Sequence, residues 1–332
     1  MAKRKGDRVD GWLVLDKPAG LSSAAAVGRV RRALNAAKAG HAGTLDPLAT
    51  GILVIALGEA TKLVSHVMDT AKTYRFTVRW GEARDTDDAE GEVTGTADRR
   101  PTPAEIQAAL ERFRGEILQM PPAYSAIKLA GRPAYARSRA GETVELVARP
   151  VRIDRIALES VPDPDHATFI MDCGKGTYVR SLARDLARAL GTLGHVTALR
   201  RLAVGAFTEA AAIPLEKLEG LGHSPATFAY VRAVETALVD IPALAVTAGD
   251  SLRLRQGQSI AIPREAAKPI GDKGEALTST AGQVVAAMLS GRLVALTQVA
   301  GDRLQPLRVL NLETGPDGPE GEDDVDYGRA QG

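Results

Sequence analysis

The twelve residues from Gly40 to Gly51 constrain this chain more than any other stretch of it. Gly40, Gly43, Gly51 and Pro47 interrupt any helical or strand period, so the stretch reads as a loop. It runs without a break into Ile52-Leu53-Val54-Ile55-Ala56-Leu57, an apolar run of strand length closed by Gly58. Such a run reads as a strand buried on both faces of a sheet. One carboxylate, Asp46, is therefore held on a stiff turn beside the interior. An unpaired carboxylate is costly there, and either a partner or a turn-building role at Asp-Pro explains it.

Further elements follow the same logic. Gly11–Leu15 reads as a strand closed by the turn Asp16-Lys17-Pro18. Ser22 or Ser23 caps a helix running to about Ala39, with Val27, Val30 and Leu34 on its apolar side. From Thr73 to Trp80 the alternation is faultless, with Tyr74, Phe76, Val78 and Trp80 on one face. Tyr74 stands at the strand entry, and its hydroxyl needs a partner if buried. The acidic segment Asp85 to Arg100 reads as an exposed loop. Thr102-Pro103-Ala104-Glu105 has capping-box spacing at the start of a helix. Thr168–Cys173 reads as a strand. Thr177 then caps a helix to Leu190 whose stripe is Val179, Leu182, Ala183, Leu186 and Leu190. Arg180 falls near the third position of that helix, where the dipole disfavours a cation by roughly 0.3–1 kcal/mol. A facing carboxylate accounts for it, and so does simple solvent exposure.

From Ile241 onward, short β-like pieces (Leu244–Val246, Leu252–Leu254, Ser259–Ile262, Leu293–Leu296, Leu307–Leu312) suggest a small β-barrel as a second domain. The Gly/Pro/acid-rich stretch after Glu313 is expected to be disordered.

Charge and composition narrow the chemistry. The last 20 residues carry seven acids and one arginine, a net of −6, which leaves +7 on the preceding 312. A basic body fits a polyanionic partner. Lys128, Arg132, Arg137, Arg139 and Arg149, interleaved with Tyr124 and Tyr135, suit single-stranded nucleic acid. One cysteine, Cys173, leaves no internal disulfide and fits a reducing compartment. The N-terminal ten residues lack the apolar core of a signal peptide and no apolar run reaches membrane-spanning length, so the cytoplasm is the expected location. The five histidines have no i,i+4 pairing that would suggest a metal site. No nucleophile elbow is present, and Gly174-Lys175-Gly176-Thr177 fails as a phosphate-binding loop because position 169 is Phe. What survives is a carboxylate, alone or with an arginine, acting at a sugar or a base.

His41-Ala42-Gly43-Thr44-Leu45-Asp46-Pro47-Leu48-Ala49-Thr50-Gly51, Lys72-Thr73-Tyr74-Arg75 and Lys175-Gly176-Thr177-Tyr178-Val179-Arg180 resemble the three active-site motifs of the TruB family of tRNA pseudouridine synthases. Asp16-Lys17-Pro18 and Tyr124-Ser125-Ala126-Ile127-Lys128 also match, and together these motifs span roughly residues 11 to 205 in the family's order. The resemblance implies an α+β fold: a pseudouridine-synthase catalytic domain with a mixed, mainly antiparallel sheet flanked by helices, plus a small C-terminal PUA-like β-barrel domain. The expected division is a basic arm (1–10), a catalytic domain (11–238), a PUA-like RNA-binding domain (239–312) and an acidic tail (313–332). An insert at Pro263–Ala281 and the tail match no family motif.

The implied activity is isomerisation of the T-loop uridine at position 55 of tRNA, with that base flipped out of its stack. Asp46 becomes the nucleophile, Arg180 its partner, and Tyr74 the ring that stacks on uracil and assists proton removal at carbon five. His41 fills the space the base vacates, Tyr178 and Leu199 line the pocket, and Lys17 and Lys128 support the structure or the RNA. The resemblance further implies no cofactor or metal, tRNA as partner through its T-arm, no guide RNA or obligate protein partner, no membrane, and a monomer. Two rivals are a non-catalytic RNA-binding or tRNA-folding protein using the same surface, and a guide-RNA-dependent synthase of the related archaeal and eukaryotic branch.

Overall fold

In the computed structural model of the chain, residues 6–124, 128–129, 132–133, 146–262, 268–269 and 280–312 are described. The chain divides into two compact units, with the break in continuous chain between Pro242 and Ala243.

The first unit is built on one large sheet. Its strands include β1 (Gly11–Lys17), β2 (Ala39–His41), β3 (Thr50–Leu57), β4 (Lys72–Trp80) and β7 (Gly115–Gln119). A side hairpin joins β5 (Glu82–Arg84) to β6 (Val93–Thr96), and the two-residue pieces β8 (Lys128–Leu129) and β9 (Arg132–Pro133) pair with each other. The main sheet is completed by β10 (Arg149–Asp163), β11 (His166–Cys173) and β12 (Gly194–Val204). The order is Ile213–Pro214, β1, β3, β12, β4, β11, β10, β7, and β2 pairs with β3. Neighbours are antiparallel except at Ile213–Pro214 beside β1 and at β3 beside β12, so the sheet is mixed and mainly antiparallel, as expected.

Every residue from Ile52 to Leu57 is fully buried, because β3 is an inner strand covered on both faces. On β4, Phe76, Val78 and Trp80 enter the core, where Phe76 stacks on Phe169 at 5.2 Å and Trp80 meets the same ring edge-on. The helix Val179–Ala189 lays Val179, Leu182, Ala183 and Leu186 on that core. The helix Pro103–Leu110 carries the complete capping box of Thr102 and Glu105.

Three local expectations are corrected. The first helix is capped by Ser22 but spans only Ser23–Ala33, because Asn35 takes a left-handed conformation (φ 45°) that ends it, and Ala39–His41 joins the sheet. Asp85 to Arg100 is not simply an exposed loop: it begins on the β5–β6 hairpin, and Asp88 within it is buried. The second long helix is not capped by Thr177, whose hydroxyl donates to the Gly174 carbonyl. Tyr178 is the N-cap, and Gln119 closes it by accepting from the Tyr178 amide (2.8 Å) and donating to the Tyr178 carbonyl (3.1 Å). Arg180 is thus the second helical residue.

The second unit has its own six-stranded sheet, ordered Ile260–Ala261, Arg303–Val309, Arg292–Ala300, Val284–Leu289, Pro242–Ala245, Lys268–Pro269. It curls into a half-barrel of the PUA-like kind around Leu244, Leu254, Val285, Val294 and Leu304. Leu252–Leu254 belongs to the helix Ala248–Arg255, not to a strand, since Thr247 caps it through the Asp250 amide. The strand Val284–Leu289 was not anticipated. The tail after residue 312 and most of the 263–281 insert lie outside the described residues.

Candidate active site

Asp46 sits where the loop leaves β2 and turns into β3, and the loop is clamped from several sides. The Ser23 hydroxyl, itself buried, accepts from the Leu45 amide (2.8 Å) and donates to the Leu45 carbonyl (2.9 Å). The ammonium of Lys17, with 0% exposure, donates to the carbonyls of Pro18 (2.8 Å), Leu21 (2.8 Å) and Pro47 (3.2 Å). Gly51 has φ +92°, and a Cβ there would lie 2.3 Å from the Arg201 carbonyl oxygen, so only glycine lets β3 and β12 close at this point.

The clamps hold one carboxylate against one arginine. Arg180 is 4% exposed, and its Nε donates to Asp46 Oδ2 at 2.8 Å. Its Nη1 donates to the Thr86 carbonyl (2.8 Å) and lies 3.4 Å from Asp88 Oδ2, while Nη2 donates to the Tyr124 carbonyl (2.9 Å). One planar fork therefore serves four acceptors from three segments. Asp88, 3% exposed, is fixed in turn by the Thr86 hydroxyl (2.6 Å) and the Glu90 amide (3.0 Å). One helical turn further on, Arg184 pairs with Asp87 (2.8 Å) and donates to the Met120 carbonyl (2.9 Å). Burial pushes the Asp87 carboxyl upward, and Arg184 opposes that shift.

Two cavities meet at Asp46, Tyr178 and Arg180. The smaller, about 330 Å³, also takes in Tyr74, Leu199, Lys72 and Arg201. The larger, about 860 Å³, is lined by His41, Tyr124 and the carboxylates of Asp85, Asp88, Glu90 and Glu92. The structure thus gathers Asp46, Tyr74, Arg180, His41, Tyr178 and Leu199 at one place. Lys17 lies beneath the loop, and the side chain of Lys128 is outside the described residues.

Burial raises the Tyr74 phenol above its usual 10, with Arg201 pulling the other way. Burial lowers the His41 imidazole, helped by Arg201, which keeps the ring neutral at neutral pH; its buried Nδ1 has no hydrogen-bond partner among the described residues. No group of three or more His, Cys, Asp or Glu side chains among the described residues is placed to hold a metal ion.

Lys17 and Lys72 are both lowered by burial from 10.5 to about 8. An unfolded lysine keeps its proton to about 10.5, so between those values the unfolded state binds more protons and stability rises with pH. Lys17→Met is expected to flatten that rise, measured as the shift in urea midpoint between about pH 7.5 and about pH 9.5.

Sequence reasoning missed Ser23, Asp88, Gln119, Arg184 and Arg201. A usable signal existed for two of them. Arg180 and Arg184 stand four apart on one helix face, and the Asp85–Asp88 run supplies matching charge.

Comparison with known proteins agrees with the geometry. Residues 31–179 match the model described as TruB family pseudouridylate synthase (N terminal domain). Residues 180–239 match the tRNA pseudouridylate synthase B C-terminal domain. A protein of Caulobacter vibrioides named tRNA pseudouridine synthase B is 54% identical over 94% of this chain and 100% of its own length. One of the same name from Rhodospirillum rubrum is 49% identical, over 93% and 99%. Among solved structures, an H/ACA RNP bound to a substrate RNA containing 2′-deoxyuridine shares the fold, with TM-score 0.68, 22% identity and coverage of 94% and 92%. A Cbf5-Nop10-Gar1 complex aligns with TM-score 0.66 and 25% identity, over 92% and 84%. With both family models matched end to end across more than half its length, and relatives about half identical along nearly all of it, this chain belongs to the TruB family of pseudouridylate synthases.

Proposed function

We propose that this chain isomerises the T-loop uridine at position 55 of tRNA to pseudouridine, with Asp46 as nucleophile. The observation that carries this reading is the Asp46–Arg180 pair at 2.8 Å, set where two cavities meet. Asp46 retains 36% side-chain exposure while Arg180 is buried, so the carboxylate is oriented from behind and open in front. A carboxylate so held is ready for attack without further reorganisation.

In the proposed reaction the Asp46 carboxylate bonds to the nucleoside, the N1–C1′ bond breaks, the base rotates, and C5 bonds to C1′. The C5 proton then leaves, N1 (freed when its bond to C1′ broke) takes up a proton, and the carboxylate is released, so protons balance and no oxidant, reductant or water is consumed. Tyr74 stacks on the uracil and assists that proton transfer, while Tyr178 and Leu199 wall the pocket. His41 props the space the base has left. The carboxylates of the larger cavity disfavour phosphate there, which supports entry of the nucleotide base-first. The enzyme acts as a monomer in the cytoplasm, without guide RNA or protein partner.

A bare T-arm transcript incubated with the purified protein is expected to gain one pseudouridine at position 55. Dependence on an added guide RNA would refute this reading in favour of the guided branch, and tight binding without turnover would favour the RNA-folding alternative. Tyr74→Leu is expected to lose turnover while RNA affinity weakens by only about 1–3 kcal/mol, the worth of one stacked base. Single-turnover assays beside filter binding check this, and collapsed affinity with surviving turnover would sink the stacking role.

A further inference from the structure

Among the described residues, Lys17, Lys72 and Arg201 are buried cations beside this site without an ion pair, and Arg201 is the one whose donors reach both sides of Asp46. Arg201 is 1% exposed and forms no ion pair among the described residues. Its guanidinium is satisfied by main-chain oxygens: Nε donates to Ile52 (2.7 Å), Nη1 to Thr44 (3.2 Å) and Nη2 to Gly43 (3.2 Å). These carbonyls flank Asp46 on both sides in sequence, so one rigid fork pins the loop before and after its carboxylate.

Arg201 also looks the other way. On β12 its Cα partner is Gly51 of β3 on one side and Tyr74 of β4 on the other. Paired residues on neighbouring strands present their side chains to the same face. Arg201 and Tyr74 both line the smaller cavity, and the guanidinium opposes the upward push that burial gives the phenol. The other charged or titratable groups that act on that phenol are Cys173 and Asp46. The same guanidinium is felt by Lys17, His41 and Lys72, each of which it disfavours as a cation. A desolvated charge without a counter-ion is a standing cost to the fold, and a lysine or an apolar residue cannot reproduce three fixed donors in one plane.

We propose that Arg201 is a positioning residue of this active site: one guanidinium ties the loop carrying Asp46 to the strand carrying Tyr74, holding carboxylate and phenol at a set separation across the cavity. This rests on the assignment of Asp46 and Tyr74 made above. Arg201 need not touch the RNA. It acts through the two groups that do, so its loss should appear in the chemical step and not in binding.

The test uses the full chain and a T-arm stem-loop RNA, with single-turnover rate and RNA affinity measured for wild type, Arg201→Lys and Arg201→Met. Wild-type turnover is read first, and its absence would remove the activity assignment and this proposal together. Given wild-type turnover, both variants are expected to lose about 100-fold in rate, the scale of an ångström's misplacement. Affinity should change by less than about threefold, as for an interaction expressed only in the transition state. If Arg201→Met does not fold, Arg201→Lys, which keeps the charge, carries the test. In a Tyr74→Phe background the penalty of Arg201→Lys should shrink severalfold, because part of it is exerted through the phenol oxygen. A folded Arg201→Lys with wild-type rate would overturn the proposal. So would a loss confined to affinity, or an unchanged penalty in the Tyr74→Phe background, and none of these touches the assignment of Asp46.

Discussion

Asp46→Asn is expected to lower single-turnover pseudouridine formation by at least about 10⁴-fold, the scale seen when a nucleophile is removed from an otherwise intact site. The amide is nearly isosteric, so it can still accept from Arg180 Nε, and the clamps on the loop do not involve the carboxylate. Binding of T-arm RNA should therefore persist. The amide lacks the anionic oxygen that the proposed covalent bond requires. Mass spectrometry of the RNA after a long incubation, beside a binding isotherm, reads both quantities. Turnover at a wild-type rate would remove Asp46 from the chemistry.

The second large effect is expected at Arg180. Arg180→Met removes the cation beside the buried Asp88 and the donors it gives the carbonyls of Thr86 and Tyr124. Breaking a buried pair from one side costs about 3–5 kcal/mol. For a unit of this size that is a fall of roughly 6–20 °C in melting temperature. Arg180→Lys separates charge from geometry. One ammonium cannot reach four acceptors spread around a planar fork, so the fold should survive while turnover falls by about 10²-fold through a displaced Asp46. Calorimetry and single-turnover kinetics on the two variants check the pair of outcomes. A Lys variant with wild-type turnover would show that charge alone suffices.

The dipole argument about Arg180 illustrates how far the sequence reached. A cation in the first turn of a helix needs an explanation, and the ion pair with Asp46 supplies one. The sequence places Arg180 third in the helix and the structure places it second, because the helix starts one residue later than Thr177 would set it. Thr177 has the right side chain for an N-cap, yet Gln119, fifty-nine residues away in sequence, makes the capping bonds to Tyr178. Leu252–Leu254 resembles a strand in sequence for a similar reason: three apolar and basic residues carry no usable period, and the Thr247 cap decides the matter.

The sequence alone determined the features that depend on neighbours along the chain. These are the buried β3, the alternating β4, the capping box at Thr102 and the motif residues Asp46, Tyr74 and Arg180. Only the tertiary structure decided which distant groups satisfy the buried charges. Asp88 comes to Arg180 from the β5–β6 hairpin, Arg201 spends its donors on the carbonyls around Asp46, and Lys17 does so on the loop's underside. The physical reason is that hydrophobic periodicity is written locally, whereas hydrogen-bond satisfaction in a low-dielectric interior is settled by whatever the folded chain brings within about 3 Å.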